Sequence, residues 1–182
     1  MKGTATVTLA GQLEEPCRVA AARQGEPAAL EWLFQTYHGA IYALCYRLLS
    51  RPEDAEDATQ ATFVAAFRSL PTFRGDSSVR TWLYRIASNE AMTILRRRRT
   101  APADAPREEL QDNRAPDALQ RAAVSAAMRR MQPDKRLILA LHYWEELSCD
   151  EIAAVLGVSI SAAKMRLKRA REEFQRHYGG EP

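Results

Sequence analysis

Ser148-Cys-Asp-Glu-Ile-Ala-Ala-Val-Leu-Gly-Val-Ser159 carries two helix starts and a turn within twelve residues. Ser148 and Glu151 stand at capping-box spacing, where each side chain can satisfy the other's free backbone donor at a helix N-terminus. Ile152, Ala153, Val155 and Leu156 then make a short apolar face. Ala153 is small enough for a second helix to cross closely, and Gly157 permits the turn. A second helix is expected from about Ser159 to Tyr178, with Ala163 and Leu167 inward. Ser161, Ala162, Lys164, Met165 and Lys168 lie nearer the outside. Lys164, Arg166, Lys168, Arg169, Arg171 and Arg176 outnumber Glu172 and Glu173 along it. A capped helix, a glycine turn and a basic second helix form the pattern of a DNA-binding helix-turn-helix. Basic helical hairpins also occur in proteins that touch no DNA.

Upstream, Leu119, Ala122, Ala123, Ala126 and Met131 mark one helix ended by Gln132-Pro133, and Leu137, Ile138, Leu141 and Trp144 mark another. A unit over residues 118–178 follows, with a short tail at 179–182. Residues 100–117 contain three prolines and, from 101 to 117, five acidic against two basic side chains. That composition reads as a flexible linker. Fully extended, it reaches roughly 60 Å, against about 34 Å for one turn of B-DNA.

Before the linker, Phe73-Arg-Gly-Asp-Ser-Ser-Val-Arg-Thr-Trp-Leu-Tyr-Arg-Ile-Ala-Ser-Asn89 continues to Arg96-Arg-Arg-Arg99. Asp76, Ser77 and Ser78 are each competent N-caps. Val79, Trp82, Leu83, Ile86, Ala87, Ile94 and Leu95 make the inward face of the helix. Seven arginines against Asp76 and Glu90 leave five surplus positive charges. Aromatic rings beside a basic rail suit unpaired nucleic acid. Alone, the stretch reads equally well as a core helix with a basic end.

Two further helices precede it. Leu30, Leu33, Phe34, Tyr37, Ile41, Leu44, Cys45 and Leu48 recur at three-and-four spacing after Pro27. Pro52 followed by Glu53, Asp54, Glu56 and Asp57 is a helix start, its carboxylates meeting the positive end of the dipole. Ala58, Ala61, Thr62 and Ala65 allow close packing, and Pro71 ends the helix. No His, Lys or Ser sits near those acids in a triad-like order, so a solvated face that docks a basic partner is favoured over catalysis. Residues 1–17 show no period and read as an unstructured leader before a unit over 18–99.

The net charge of +3 is modest, so only its clustering is informative. Cys17, Cys45 and Cys149, like His38, His142 and His177, are scattered, without metal-ligand spacing. No metal or cofactor is expected. No apolar run of membrane-spanning length and no signal-peptide pattern occurs. A cytoplasmic, all-α, non-enzymatic protein of two small helical domains is the expectation.

These motifs, taken in order from about Arg18 to Phe174, resemble the sigma-70 family of RNA polymerase sigma factors, of the extracytoplasmic-function type. Asp54-Ala-Glu-Asp57-Ala-Thr-Gln60-Ala-Thr-Phe63 looks like the family's second helix, Phe73 to Asn89 like its promoter-melting segment, and Glu151 to Arg171 like its C-terminal helix-turn-helix. The resemblance implies a region 2 bundle of three to four helices and a region 4 domain.

It further implies that Asp54, Asp57, Gln60 and Phe63 bind core polymerase at a coiled coil of the largest subunit, with a second contact at the flap region. Phe73 and Asn89 would line a pocket for a flipped base of the −10 element, alongside Arg74, Arg80, Arg85, Arg96 and Arg97. Ser159, Ser161, Ala162, Lys164, Arg166, Lys168 and Arg169 would meet the −35 element of promoter DNA. An anti-sigma factor is an implied partner. Ala162-Ala163 departs from the Thr-Val pair common in the family, removing one hydroxyl. A helix-turn-helix regulator acting without polymerase would leave the acidic helix and residues 73–99 unexplained. A metal-dependent nuclease would need convergent carboxylates, and here they share one helix start.

Overall fold

The computed structural model describes residues 9–100 and 118–179. The linker expected at 100–117 lies outside the described residues but for its first. So do the first eight residues of the leader and most of the tail.

Among the described residues eight α-helices follow in order: α1 (Leu9–Arg23), α2 (Pro27–Leu49), α3 (Pro52–Ser69), α4 (Val79–Thr100), α5 (Ala118–Arg130), α6 (Pro133–Tyr143), α7 (Cys149–Leu156) and α8 (Ile160–Tyr178). A 3₁₀ turn, Leu70–Thr72, follows α3. Among the described residues there is no strand.

The first unit is built on α2, whose Leu33, Ile41, Leu44, Cys45 and Leu48 are fully buried. Pro27 opens that helix at its first turn, and Ser50 closes it in the left-handed region at φ 55°. Helix α3 presents Ala55, Ala58, Thr59, Thr62 and Ala66 to the core. Phe63 is the one large side chain buried on this helix, and the small residues around it let α2 and α4 pack closely against α3. Thr59 and Thr62 return their hydroxyls to the carbonyls of Ala55 and Ala58, both at 2.6 Å, so the buried oxygens are satisfied within the helix. The stripe is shifted from the expected one, since Ala61 and Ala65 are only half-buried.

The unstructured leader expected over residues 1–17 is replaced from Leu9 by α1, which packs on α2. Its pattern is weak: among its described side chains, Val19 and Ala22 are the ones buried in the core. Polar contacts assist: the Tyr37 hydroxyl donates to Glu15 at 3.0 Å, and the Arg18 guanidinium lies 5.3 Å from the Trp32 ring centre. Pro16, inside the helix, removes one backbone donor.

In the second unit α8 packs against α5, α6 and α7. Leu137, Ile138, Leu141, Leu147, Ile152, Ala163, Leu167 and Ala170 form its centre. Leu119, expected inward, is 86% exposed, and Trp144 is 40% exposed beyond the end of α6. The two units are not held apart. Helix α4 packs on α7, α2 packs on α6, and the buried apolar residues of both units form one continuous cluster.

Candidate nucleic-acid interface

Helix α4 begins where Ser78 caps it. The hydroxyl of Ser78 accepts the Thr81 N–H at 3.1 Å and lies 2.8 Å from the Thr81 hydroxyl. Of the three competent caps, Ser78 is the one in use. The loop before it turns at Gly75, whose φ of +77° is open to glycine without strain. From the cap onward Val79, Leu83, Tyr84, Ala87 and Ala91 are buried. Arg85, Asn89, Arg96 and Arg97 are left exposed, as is Arg74 in the loop.

Phe73 is half-buried, its ring 4.9 Å from that of Trp82. It lines a cavity of about 470 Å³ between the 73–79 loop and α1, with Glu15, Val19 and Arg23 opposite. Asn89 lines a different cavity of about 410 Å³, shared with Ser88, Arg96, Arg166 and Arg169. The single pocket expected to hold both residues is therefore two. Trp82 and Asn89 are seven residues apart on one helix, about 10 Å along its axis, so α1 encloses one side of the face and the second unit the other.

Arg80, expected on the DNA face, is half-buried and donates to the backbone carbonyl of Glu145. Its guanidinium also lies 5.4 Å from the Tyr84 ring centre. Burial works against its charge, but the Tyr84 hydroxyl and Glu145 together raise its pKa. This arginine serves the contact between units because Glu145 enters from the second one.

The helix-turn-helix has the expected local chemistry. The Ser148 hydroxyl accepts the Glu151 N–H at 3.2 Å, and the Glu151 carboxylate accepts the Ser148 N–H at 2.9 Å. Gly157 ends α7 at φ +64°, and the Val158 N–H returns to the Ala153 carbonyl at 3.0 Å. Ser159, expected to touch DNA, is the N-cap of α8, its hydroxyl accepting the Ala162 N–H at 3.2 Å. Ser161, Lys164, Met165 and Lys168 share an exposed face beside half-buried Ala162. Arg166 and Arg169 are exposed on another face, toward α4.

On the acidic helix, Asp57 and Gln60 are exposed three residues apart. Asp54 is not a free surface acid. It pairs with Arg98 and lies 3.8 Å from Arg51. Arg98 also donates to the Leu49 carbonyl at 2.9 Å, so one of the four arginines ties α4 to the α2–α3 corner. Burial, with Arg51 nearby, lowers the Arg98 pKa.

Phe63, expected at a partner surface, is 3% exposed. Its ring lies 4.8 Å from Phe34, which is 40% exposed, and Val64 beside it is 44% exposed. Phe34 and Val64 are thus the apolar members of this surface. The three-and-four pattern assigned Phe34 to the core because it borders the buried stripe.

Residues 33–101 match the family model described as Sigma-70 region 2, and residues 121–174 match Sigma-70, region 4. The chain is 32% identical over 170 residues to the RNA polymerase sigma-H factor of Pseudomonas aeruginosa, covering 85% of this chain and 88% of that protein. It is 31% identical over 177 residues to the ECF RNA polymerase sigma factor SigW of Bacillus subtilis, covering 87% and 94%.

Among solved structures, CnrH in complex with the cytosolic domain of CnrY aligns at a TM-score of 0.70 and 26% identity, over 89% of this chain and 95% of that one. The sigma factor RpoE from Bartonella quintana, solved with the anti-sigma factor NepR, shares the fold at a TM-score of 0.68 and 23% identity, over 84% and 98%.

Proposed function

The chain belongs to the sigma-70 family as an alternative sigma factor of the ECF type, and from that premise we propose which of its surfaces serve transcription initiation. Its work is binding rather than catalysis, and its place is the cytoplasm, where polymerase and promoter meet. The units correspond to residues 18–99 and 118–178, with α1 joining the first.

The exposed side of α3, with Asp57 and Gln60 beside Phe34 and Val64, docks on the coiled coil of the largest polymerase subunit. Asp54 and Phe63 hold that surface in place from beneath. The second unit contacts the flap region. Phe73, Arg74, Arg85, Asn89, Arg96 and Arg97 engage the non-template strand of the −10 element. Extruding a base costs a few kcal/mol of stacking, which an aromatic and amide lining offsets. Ser161, Ala162, Lys164 and Lys168 enter the major groove at the −35 element, with Arg166 and Arg169 free to meet phosphates once they leave α4. An anti-sigma factor is the regulator that membership of the family implies.

One observation carries the reading. The Arg85–Asn89–Arg96 face stays polar and exposed while its helix is otherwise a core element. The test adds purified protein to core polymerase and follows initiation and strand opening on a duplex promoter. Asn89→Ala is expected to impair opening at least about tenfold while core association is unchanged. Unchanged opening removes the base-trapping assignment.

A further inference from the structure

Arg171 continues the outer stripe of α8. Ser161, Lys164, Lys168 and Arg171 follow one another at steps of three, four and three, so they share one side of the helix. From Ser161 to Arg171 that stripe runs about 15 Å along the axis. Arg171 is exposed, and among the described residues no acid pairs with it; the neighbouring Glu172 lies 4.0 Å from Lys168 instead. Its charge is not neutralised by those residues.

The guanidinium is nevertheless held in place. It donates to Nε2 of His142 at 3.1 Å and lies 5.5 Å from the centre of the Tyr143 ring. These two partners are the last residues of α6. An arginine carries donors only, so Nε2 accepts and the ring proton sits on Nδ1, which donates to the Leu147 carbonyl at 3.1 Å. Leu147 directly precedes the Ser148 cap of α7, and its own N–H returns to the Leu141 carbonyl at 3.0 Å. The imidazole is therefore neutral and fixed from two directions, by its place in α6 and by the loop that opens the helix-turn-helix. Tyr143 is exposed and meets the His142 ring edge-on at 4.9 Å, which leaves its face to carry the cation. A long side chain loses rotamer freedom when it docks, and one already fixed loses less. A guanidinium presented in a set direction also suits a phosphate.

We propose that Arg171 is a further phosphate contact of α8, and that neutral His142, with Tyr143, is the residue that positions it. The assignment rests on the outer face of α8 meeting DNA. His142 acts through Arg171 and touches no phosphate itself.

The experiment follows binding of the full chain to a fluorescein-labelled duplex of about 20 base pairs, since phosphate contacts do not depend on sequence. It is run at about pH 8, above the range in which histidines ordinarily titrate. Arg171→Ala is expected to weaken binding about tenfold and to make the slope of log affinity against log salt shallower by about 0.9. His142→Leu leaves the net charge as it was and is expected to weaken binding about fivefold. His142→Gln, whose amide can accept from Arg171 and donate to Leu147, should stay within about twofold of wild type. In the Arg171→Ala background, His142→Leu should have no further effect. Circular dichroism checks helix content; should His142→Leu lose it, Tyr143→Leu runs the same cycle, with a loss of about threefold expected.

An unchanged affinity and slope in Arg171→Ala overturns the contact. An equal loss from His142→Leu with and without Arg171 makes the histidine a support for the loop at Leu147 and overturns the positioning role. So does a His142→Gln variant as weak as His142→Leu. Lys164→Ala on the same duplex tests the face itself. Weaker binding there beside an unaffected Arg171→Ala overturns the Arg171 contact alone, whereas no effect of either substitution overturns the assignment of the α8 outer face to DNA.

Discussion

The Tyr84 hydroxyl donates to the Glu145 carboxylate across 61 positions of sequence, joining the middle of α4 to the loop after α6. Tyr84 is 1% exposed and its ring belongs to the core of the first unit. One side chain therefore completes one unit and holds the other. Burial, followed by the adjacent Glu145 charge, raises its pKa, so the hydroxyl remains a donor throughout the physiological range.

Tyr84→Phe separates those roles, because the ring stays and only the donor goes. A hydrogen bond to a buried charged acceptor is worth about 1.5–3 kcal/mol. Arg47 remains on the carboxylate, so the lower half of that range is expected. Helix content should be unchanged, while amide exchange in residues 144–148 speeds up. Wild-type protection at that loop would show that the contact does not form in solution.

Asp54 and Asp57 sit one helical turn apart with different surroundings. Asp54→Asn breaks the ion pair to Arg98 and lowers stability by about 1–2 kcal/mol, read as a shift in the urea midpoint. Asp57→Asn leaves the midpoint where it was and weakens association with core polymerase, read by pull-down or interferometry. The reverse pattern would exchange their roles.

Lys164 is exposed on the outer face of α8. If it meets a phosphate, Lys164→Ala weakens upstream-element binding on every sequence alike. The slope of log affinity against log salt then becomes shallower by about 0.9. An unchanged slope with altered base preference would make it a base-reading residue instead.

The helix-turn-helix was readable because its signals are local. Ser148, Glu151, Gly157 and Ser159 act through neighbours within a few residues, and each does in the structure what its spacing requires. The same holds for Pro27, Pro52 and the cap at Ser78. What escaped depends on partners far along the chain. Asp54 resembles its acidic neighbours until Arg98 folds onto it. Arg80 looks like one more basic residue until Glu145 arrives from the second unit. Phe34 and Phe63 have the same periodicity, and only the packing of α2 on α3 decides which ring is covered. Helix α1 is not legible in the sequence because, among its described residues, Glu15 and Arg18 anchor it through Tyr37 and Trp32, partners on another helix.

Glu173 of α8 supplies a pH dependence confined to the second unit. It is 7% exposed, receives the Gln132 N–H at 2.9 Å and pairs with Lys135. Burial works against its charge, yet the Lys135 ammonium and the Gln132 N–H hold its carboxyl below the ordinary value. A depressed folded pKa means that the unfolded chain binds the proton first. The stabilisation is therefore fully present above the unfolded value of about 4.3 and is lost as pH falls through the lower folded value. Glu173→Gln removes the ionised partner at every pH. The difference in urea midpoint between wild type and Glu173→Gln should be largest near neutrality and shrink between about pH 5 and pH 3. A difference that stays constant over that interval would mean the carboxylate contributes as a neutral hydrogen-bonding group, with Lys135 solvated beside it.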